Sequence, residues 1–473
     1  MHIAIDLGAG SGRVVLGHFG DEALIVRETH RFAHPMNRVE GHLRWDVPHI
    51  LAEIKQGIAR TASAARELGG AIASLGVDSW GVDYGLVDRS GRLLEAPICY
   101  RDERTRGRMD EVFGDVPRRE LFERTGIQFM ELNTLYQLVA HARGDGLPAG
   151  AHRLLLMADL VHAQLGGRRC CEYTLATTSQ MVSAGTGDWD RDLLARLNLP
   201  AFLLPDIVRP GATLGTLAAS IQAELGVPPI SIVAPPAHDT ASAVAGTPLE
   251  AGWAFLSSGT WSLLGVEIER PLISDAACDH NFTNEGGAGA TIRLLKNVVG
   301  LWILESCRRQ WSARGRALDY AALGRAMGEL PGPVGLIDPD HPRFFNPPDM
   351  IAEVQASLRE SGEPAADDEV TLSRVILDSL ARKYRTVVAE IETVTGRQIE
   401  GVRIVGGGSQ NDYLNQATAD ACGRPVVAGP VEATALGNLA VQAMAAGRFR
   451  SVADARAFVA RHVPARRFTP RAS

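Results

Sequence analysis

The stretch HIAIDLGAGSGRVVLGHF (residues 2–19) places Gly8, Gly10 and Gly12 between two apolar runs near the start of the chain. A glycine-rich turn after a buried strand lets backbone N–H groups meet an anion, so this turn restricts the available folds more than any other feature. A dinucleotide fold needs glycines at the first, third and sixth positions, followed by a helix. Here the sixth position is Arg13, and RVVLGHFGDEALIV continues as apolar run, Gly-Asp turn, apolar run, which is the pattern of antiparallel strands. The turn opens no helix, and nicotinamide chemistry is not indicated. A Walker-type loop needs a Gly-Lys pair, but Lys55, Lys296 and Lys383 follow Ile54, Leu295 and Arg382. What remains is a hairpin whose turn can cradle an anion, with Asp6 at the end of its first strand. Taken alone, it reads equally as an ordinary hairpin that uses glycine for left-handed backbone.

The pattern recurs at the midpoint. GWAFLSSGTWSLLGVEI (residues 252–268) is again strand, small-residue turn (Ser257, Ser258, Gly259, Thr260), strand. Two such hairpins imply a duplicated architecture, with two similar domains each offering a turn to a shared cleft. A third segment, GVRIVGGGSQNDYLNQATADACG (residues 401–423), puts Gly406, Gly407 and Gly408 between a strand and a helix, where the helix N-terminus favours an anion or nucleotide. A boundary near residues 245–251 follows, giving domains over 1–245 and 246–460 and a tail over 461–473 that is expected to fray at its end.

Residues 44–68 predict a surface helix, with Asp46 as cap, Pro48 near the start and Ile50, Leu51, Ile54 and Ile58 on one face. AIASLGVDSWGVDYGLVDRSGRLL (residues 71–94) reads as strand, polar crossing at Asp78 to Trp80, strand and Ser-Gly turn. Polar residues at the end of a buried strand are where α/β folds place ligands. Residues 331–350 and 361–369 are rich in Pro and Asp and read as surface connections.

A chain of 473 residues suffices for two or three domains at roughly 100–200 residues each. Apolar residues make up 45 % and charged residues 22 %, as in ordinary globular proteins. The net charge of −7, without a basic block, argues against nucleic acid or an anionic membrane and leaves a small molecule as the expected partner. Six cysteines (Cys99, Cys170, Cys171, Cys278, Cys307, Cys422) show no C-x-x-C spacing, so neither a zinc cage nor a disulfide framework is indicated. The chain enters a strand without a charged-then-apolar leader, and no apolar run approaches about 18 residues; a cytoplasmic protein is expected.

Two hairpins and a glycine-flanked helix, in that order, resemble the phosphate-1, phosphate-2 and adenosine motifs of the actin-like ATPase and sugar-kinase superfamily. Within it, the chain resembles the FGGY family of carbohydrate kinases over essentially its whole length. The resemblance rests on DLGAGSGR, DSWGVDY, YRDERT, GIQFMELNTLYQL, HDTASAV, SSGTWSL, NFTNEGG, LLKNVVGLW, VGGGSQN and AGPVEATALGN. It implies an α/β fold of two actin-like (ribonuclease H-like) domains flanking an ATP/sugar cleft, ATP and Mg²⁺ as cofactors, and a ketose as the small-molecule substrate.

Phosphoryl transfer needs neutralised phosphates, a metal, an aligned hydroxyl and a carboxylate to take its proton. The resemblance assigns the last role to Asp239 in PPAHDTASAV. As an isolated residue Asp239 reads as a helix N-cap, and in either reading a helix N-terminus is expected to keep its carboxylate ionised. His238 and Thr240 flank it and line the sugar site by resemblance, while His238 alone also reads as a strand-end histidine bonded to backbone. Asp6 is implied for orienting hydrated magnesium, which prefers one or two carboxylates with waters and phosphate oxygens; its plain reading is a turn-stabilising aspartate. Ala9, Gly10, Ser11, Gly12 and Arg13 would wrap the ATP phosphates. Gly259 and Thr260 would donate to them from the second domain, unless that turn is merely structural. Gly407 would let adenosine approach the backbone, with Asn411 near the adenine, although a bare glycine run is also a plain loop.

Gly81, Trp80 and Asp83 match the family's substrate stretch, Gly81 permitting close approach and Trp80 either stacking on a sugar face or filling the core. Asn297 contacts substrate or caps the following helix, and Glu305, placed two turns along that helix, reaches toward the nucleotide. Arg101, Asp102 and Arg104 resemble part of the W-x-D-x-R-T of other FGGY kinases, or form a solvated ion-pair cluster. Two departures point away from glycerol and xylulose as substrates: LNTLYQL lacks the Pro-Lys-Leu-x-Trp pattern, and WGVDY replaces a Gln-containing motif.

Overall fold

Strands buried on both faces are usually apolar nearly end to end, so polar residues within such strands are notable, and three strands of this chain carry them: His2 and Asp6, Ser74, Asp78 and Ser79, and Arg403. His2–Leu7, Ser74–Ser79 and Gly401–Val405 are buried at every position. The computed structural model describes residues 1–144, 146–316 and 319–471. The chain divides into two compact units: Met1–Pro248, Glu267–Leu294 and Ala433–His462 form the first, and Leu249–Val266, Leu295–Glu432 and Val463–Ser473 the second. One crossing, after Pro248, falls within the stretch read as a boundary. The later crossings carry no marker in composition.

The first unit is built on a six-stranded sheet in the order Thr213–Thr216, Ser231–Val233, Ser74–Ser79, His2–Leu7, Ser11–Phe19, Leu24–Ala33. His2–Leu7 pairs antiparallel with Ser11–Phe19, from His2 opposite Gly17 to Leu7 opposite Gly12, and parallel with Ser74–Ser79. The second sheet repeats this scheme in the order Ile292–Val299, Trp261–Ile268, Trp253–Ser258, Gly401–Val405, Val426–Ala428, Arg466–Phe468, with Thr283–Gly286 added beside Ile292–Val299. Its hairpin is antiparallel and its next two neighbours are parallel. The duplication read from two hairpins is thus a duplication of sheet topology, as in ribonuclease H-like folds.

Helices cover these sheets through apolar faces. In Val47–Glu67, Asp46 accepts the His49 N–H at 3.0 Å, and Ile50, Ile54 and Ile58 are buried, whereas Leu51 is only half-covered. A Cβ on Gly57 would fall 2.3 Å from a Val14 methyl, so this face presses directly on the sheet. A closer approach joins the helices Asp239–Ala245 and Ala433–Ala445. A Cβ on Gly437 would lie 1.8 Å from the Ser242 carbonyl oxygen, and one on Gly246 would lie 2.5 Å from the Gly437 nitrogen.

The end of the chain corrects the expectation of a frayed tail. Arg466–Phe468 pairs antiparallel with Val426–Ala428, and the Arg471 guanidinium donates to Asp420 at 2.6 Å. Local composition signals neither, because both partners are supplied by segments distant in sequence. Residues 472 and 473 of the tail lie outside the described residues. Among the described residues no helix is long and apolar enough to cross a membrane.

Candidate active site

Parallel strands of an α/β sheet present their carboxyl ends along one edge, where ligands bind. In the first unit Asp6 stands in parallel register with Asp78, and Ser79 forms a parallel bridge with His238. Asp239 therefore follows directly on the same edge. Arg13 is opposite Asp6 across the hairpin, and its guanidinium pairs with the Asp6 carboxylate. Asp78 is 0 % exposed. Its Oδ2 accepts the Asn438 amide at 2.6 Å, and its Oδ1 has no partner among the described residues. Burial pushes the Asp78 carboxyl well above the usual carboxylate range; repulsion from Asp6 and Asp239 adds to this, and Asn438 opposes it.

The helix that carries Asp239 spans Asp239–Ala245, and its cap is His238, not Asp239 as the capping pattern implied. Asp239 Oδ1 accepts the Thr240 backbone N–H at 2.5 Å and its hydroxyl at 3.1 Å, and 30 % of the Asp239 side chain stays accessible. Burial raises its carboxyl above the ordinary value, partly offset by His238 and reinforced by Asp6. Loss of solvation and a like charge thus raise this carboxyl even though it opens a helix of 7 residues. A raised carboxyl is also a stronger base once ionised.

The segment before Asp239 is braced from behind. Glu172 Oε2 accepts the Ala237 N–H at 2.8 Å and the Thr174 hydroxyl at 2.6 Å, and Thr174 Oγ1 in turn accepts the His238 N–H at 3.2 Å. The Thr177 hydroxyl oxygen accepts the Gly286 N–H at 2.9 Å, tying the same helical turn to the NFTNEGG strand. That strand supplies Glu285, 3.2 Å from His238 Nδ1 and 3.1 Å from Arg293. Sequence reading missed Glu172, Glu285 and Arg293 as site residues. Only Glu285 sat in a motif that could have drawn attention.

The hairpin turn splits into a packed and an open side. A Cβ on Gly12 would strike the Phe32 ring at 2.3 Å, whereas one on Gly10 meets nothing within 4 Å. Gly10 and Ser11 are exposed and Ala9 is half-buried; the Gly8 N–H donates to the Ser11 carbonyl at 3.0 Å. Gly12 is thus explained by packing, while open space at Gly10 leaves room for a bound group.

The sugar stretch differs from expectation. Trp80 is buried, packed on His34 (5.4 Å between ring centroids) and Trp45 (4.5 Å), so it fills core and offers no open stacking face. Asp83 is 0 % exposed and accepts the indole N–H groups of Trp45 at 2.7 Å and Trp80 at 2.9 Å and the Gln137 amide at 3.0 Å. Three donors satisfy it within the protein, which makes it scaffold and not a sugar contact. Gly81 lies against Thr178, whose hydroxyl would be 3.1 Å from a Cβ built there. Arg104 bonds Gln137 at 2.8 Å and Asp102 accepts the Leu43 N–H at 2.8 Å, while Arg101 is buried, so YRDERT is part of this internal network and not a solvated cluster.

Burial raises the Asp83 carboxyl to about 6, against its three donors. The folded state therefore binds a proton more tightly than the unfolded chain, whose Asp titrates near 3.9, and stability conferred at low pH is lost as pH rises through 6. About two pKa units correspond to roughly 3 kcal/mol. Asp83→Asn should gain about that much relative to the wild type between pH 4 and pH 7, measured by urea unfolding at both. A pH-independent difference would show that Asp83 does not titrate in this range.

In the second unit, the hairpin turn holds Gly259 and an exposed Thr260. The Gly259 carbonyl accepts the Leu301 N–H at 3.0 Å and the Thr260 carbonyl accepts the Trp302 N–H at 3.2 Å, seating the turn on the start of helix Trp302–Ala313. Ser258 packs into the glycine run, since a Cβ on Gly408 would be 2.0 Å from the Ser258 hydroxyl. Gly407 is exposed with nothing within 4 Å of a built Cβ. Asn411 caps Asp412–Cys422, its Oδ1 accepting the Leu414 N–H at 3.0 Å. Arg466 pairs with Asp412 and donates to the Ser409 carbonyl at 2.8 Å, so the tail strand braces this loop. Ser258, together with the pairing of Trp253–Ser258 and Gly401–Val405, thus brings the Gly259 turn against the glycine run that precedes Asn411.

Asn297 sits within strand Ile292–Val299 and is no helix cap, a role that falls to Leu301 without a side-chain bond. Glu305 is in the first turn of its helix, one turn in and not two, with its carboxylate 3.3 Å from Arg308.

Two family models match the chain: the N-terminal domain of the FGGY family of carbohydrate kinases over residues 1–246, and its C-terminal domain over residues 254–446. The chain is 42 % identical over 475 residues to a rhamnulokinase of Pectobacterium carotovorum subsp. carotovorum, covering 99 % of this chain and 93 % of that protein. It is 40 % identical over 469 residues to a rhamnulokinase of Bacteroides thetaiotaomicron, with 99 % and 95 % covered. Among solved structures it is similar in fold to a ligand-bound xylulose kinase from Lactobacillus acidophilus (TM-score 0.79, 14 % identity, 100 % of this chain and 94 % of that one). It is likewise similar to Plasmodium falciparum glycerol kinase with ADP (TM-score 0.75, 15 % identity, 100 % and 94 % covered). With duplicated sheets, acidic residues gathered at strand ends and both domain models matched, the chain belongs to the FGGY family of carbohydrate kinases.

Proposed function

We propose that the protein transfers the γ-phosphoryl group of ATP to the 1-hydroxyl of L-rhamnulose, giving L-rhamnulose 1-phosphate and ADP. The observation that carries this reading is the partly accessible Asp239 carboxylate at the edge shared by Asp6 and Asp78, with His238 beside it. Similarity to rhamnulokinases over 99 % of the chain supports the choice of sugar and of hydroxyl.

Asp239 is the base: its free oxygen accepts the hydroxyl proton while Thr240 holds the other, so the oxygen of the sugar becomes nucleophilic as it meets phosphorus. His238 and Thr240 line the sugar, as do Gly81 and Asn297. The open side of the turn at Ala9, Gly10 and Ser11, with Gly12 and Arg13 behind it, receives phosphate oxygens, and Gly259 with Thr260 offers amide and hydroxyl donors. Gly407 and Asn411 face adenosine, with Glu305 a further contact to the nucleotide.

Magnesium is the metal that the family implies. Among the described residues no group of three or more His, Cys, Asp or Glu side chains is arranged to chelate an ion. Asp6 and the unpartnered oxygen of Asp78 still fit magnesium, which takes one or two carboxylates and completes its shell with water and phosphate oxygens. When bound, it supplies neutralising charge for the phosphates.

ADP release measured by a coupled assay over L-rhamnulose, L-fuculose, L-xylulose and glycerol tests the reading. The highest kcat/KM is expected for L-rhamnulose. A preference for another acceptor would replace the substrate, and ADP release indifferent to every acceptor would favour an actin-like ATPase.

A further inference from the structure

An arginine touching an imidazole restricts which ring nitrogen can carry a proton, because guanidinium has donors only. Arg293, on strand Ile292–Val299, is 0 % exposed. Its Nε donates to the Gly286 carbonyl at 2.9 Å, and its Nη2 donates to His238 Nδ1 at 3.1 Å while lying 3.1 Å from Glu285 Oε2. The bond from Nη2 requires a lone pair on Nδ1. Glu285 Oε2 is 3.2 Å from the same Nδ1, yet among the described residues no donor reaches it with adequate hydrogen-bond geometry; its charge is met chiefly by the guanidinium, with His238 adding to it. The ring proton is left to Nε2, which lies 3.5 Å from Asp239 Oδ1.

We propose that Arg293 is a positioning residue that holds His238 as the Nε2–H tautomer, so that the ring presents a donor beside the carboxylate that takes the substrate proton. This rests on the roles given above to Asp239 and His238. With Nε2 protonated, the ring cannot take the hydroxyl proton, which is left to Asp239, and the imidazole N–H can fix a sugar oxygen. With the proton on Nδ1, bonded to Glu285, a bare Nε2 would compete for the same proton and the sugar would lose a donor.

Ring-¹⁵N histidine labelling of the full chain, with His238→Gln to assign the signal, reads the tautomer directly. The wild type should show Nε2–H, and Arg293→Gln should move the proton toward Nδ1. An Nδ1–H or doubly protonated ring in the wild type overturns the proposal, whatever the acceptor sugar proves to be. In turnover, Arg293→Gln should lower kcat about 10- to 100-fold, the range for losing a partner that orients an imidazole, without changing the KM for ATP. In a His238→Gln background it should have no further effect on kcat; an equal further loss there makes Arg293 merely structural and also overturns the proposal. Should Arg293→Gln fail to fold, Glu285→Leu removes the competing acceptor and should leave Nε2–H in place, and a switch of tautomer in that variant counts against the proposal. Absence of L-rhamnulose-dependent ADP release in the wild type would remove the functional reading alone, since the tautomer is read without substrate.

Discussion

Asp239→Asn should retain nucleotide binding and lose roughly 10²- to 10⁴-fold in kcat, the usual contribution of a general base. The substitution nearly conserves volume, and an Asn side-chain oxygen can still accept the Thr240 N–H and hydroxyl that Asp239 Oδ1 accepts at 2.5 Å and 3.1 Å. The helix start should therefore survive while the proton acceptor is gone. Nucleotide titration by calorimetry and kcat from coupled ADP release separate the two effects, and near-normal turnover would refute the assignment. The same carboxylate sets a pH dependence. It must be ionised to act, and burial and Asp6 raise it, so kcat/KM should fall on the acid side with a midpoint above the ordinary Asp value of about 3.9. Activity is present above that midpoint and lost below it. Because Asp6, Asp78 and Asp239 interact, the limb belongs to the cluster and not to one residue.

Gly437→Ala should damage both stability and turnover, although residue 437 is no part of the chemistry. A Cβ there would lie 1.8 Å from the Ser242 carbonyl oxygen and 2.7 Å from the Gly246 nitrogen. These are backbone atoms of the helix that begins with Asp239, so no rotamer change relieves the clash. Overpacking of this kind costs about 1–3 kcal/mol, or roughly 2–5 °C in Tm for a unit of this size. The relaxation must move Asp239 relative to Asp78, whose Oδ2 is held by the adjacent Asn438 at 2.6 Å. A shift of about 1 Å in a reacting group can cost 10²-fold, so kcat should drop by a comparable factor. Gly114→Ala is the control, since a Cβ there meets nothing within 4 Å. Wild-type Tm and kcat in Gly437→Ala would show that the two helices can separate freely.

These effects mark where legibility in the chain stops. The hairpins were legible because glycine punctuation and apolar runs are local. The helix over Val47–Glu67 was legible for the same reason, through Asp46, Pro48 and the spacing of Ile50, Ile54 and Ile58. Trp80 and Asp83 were visible as a motif, but their burial against Trp45, His34 and Gln137 was not, since a buried scaffold and a sugar contact use the same residue types. Asn438 lay in plain view within AGPVEATALGN without a role, because the carboxylate it serves is supplied by a strand near the other end of the chain. The tail misled for a similar reason: its strand partner, Val426–Ala428, confers an order that RRFTPRAS lacks by itself.

The chain by itself determined that two glycine turns would join antiparallel strands, that neither a Walker loop nor a dinucleotide fingerprint was available, and that HDTASAV would bring an acid to a helix start. Only the tertiary structure decided that Asp6, Asp78 and Asp239 would share one edge, and that Arg293 and Glu285 would meet His238. Local pattern is set by steric and hydrogen-bonding preferences within a few residues. Desolvation and Coulomb interaction depend on separation through space, which sequence distance does not encode.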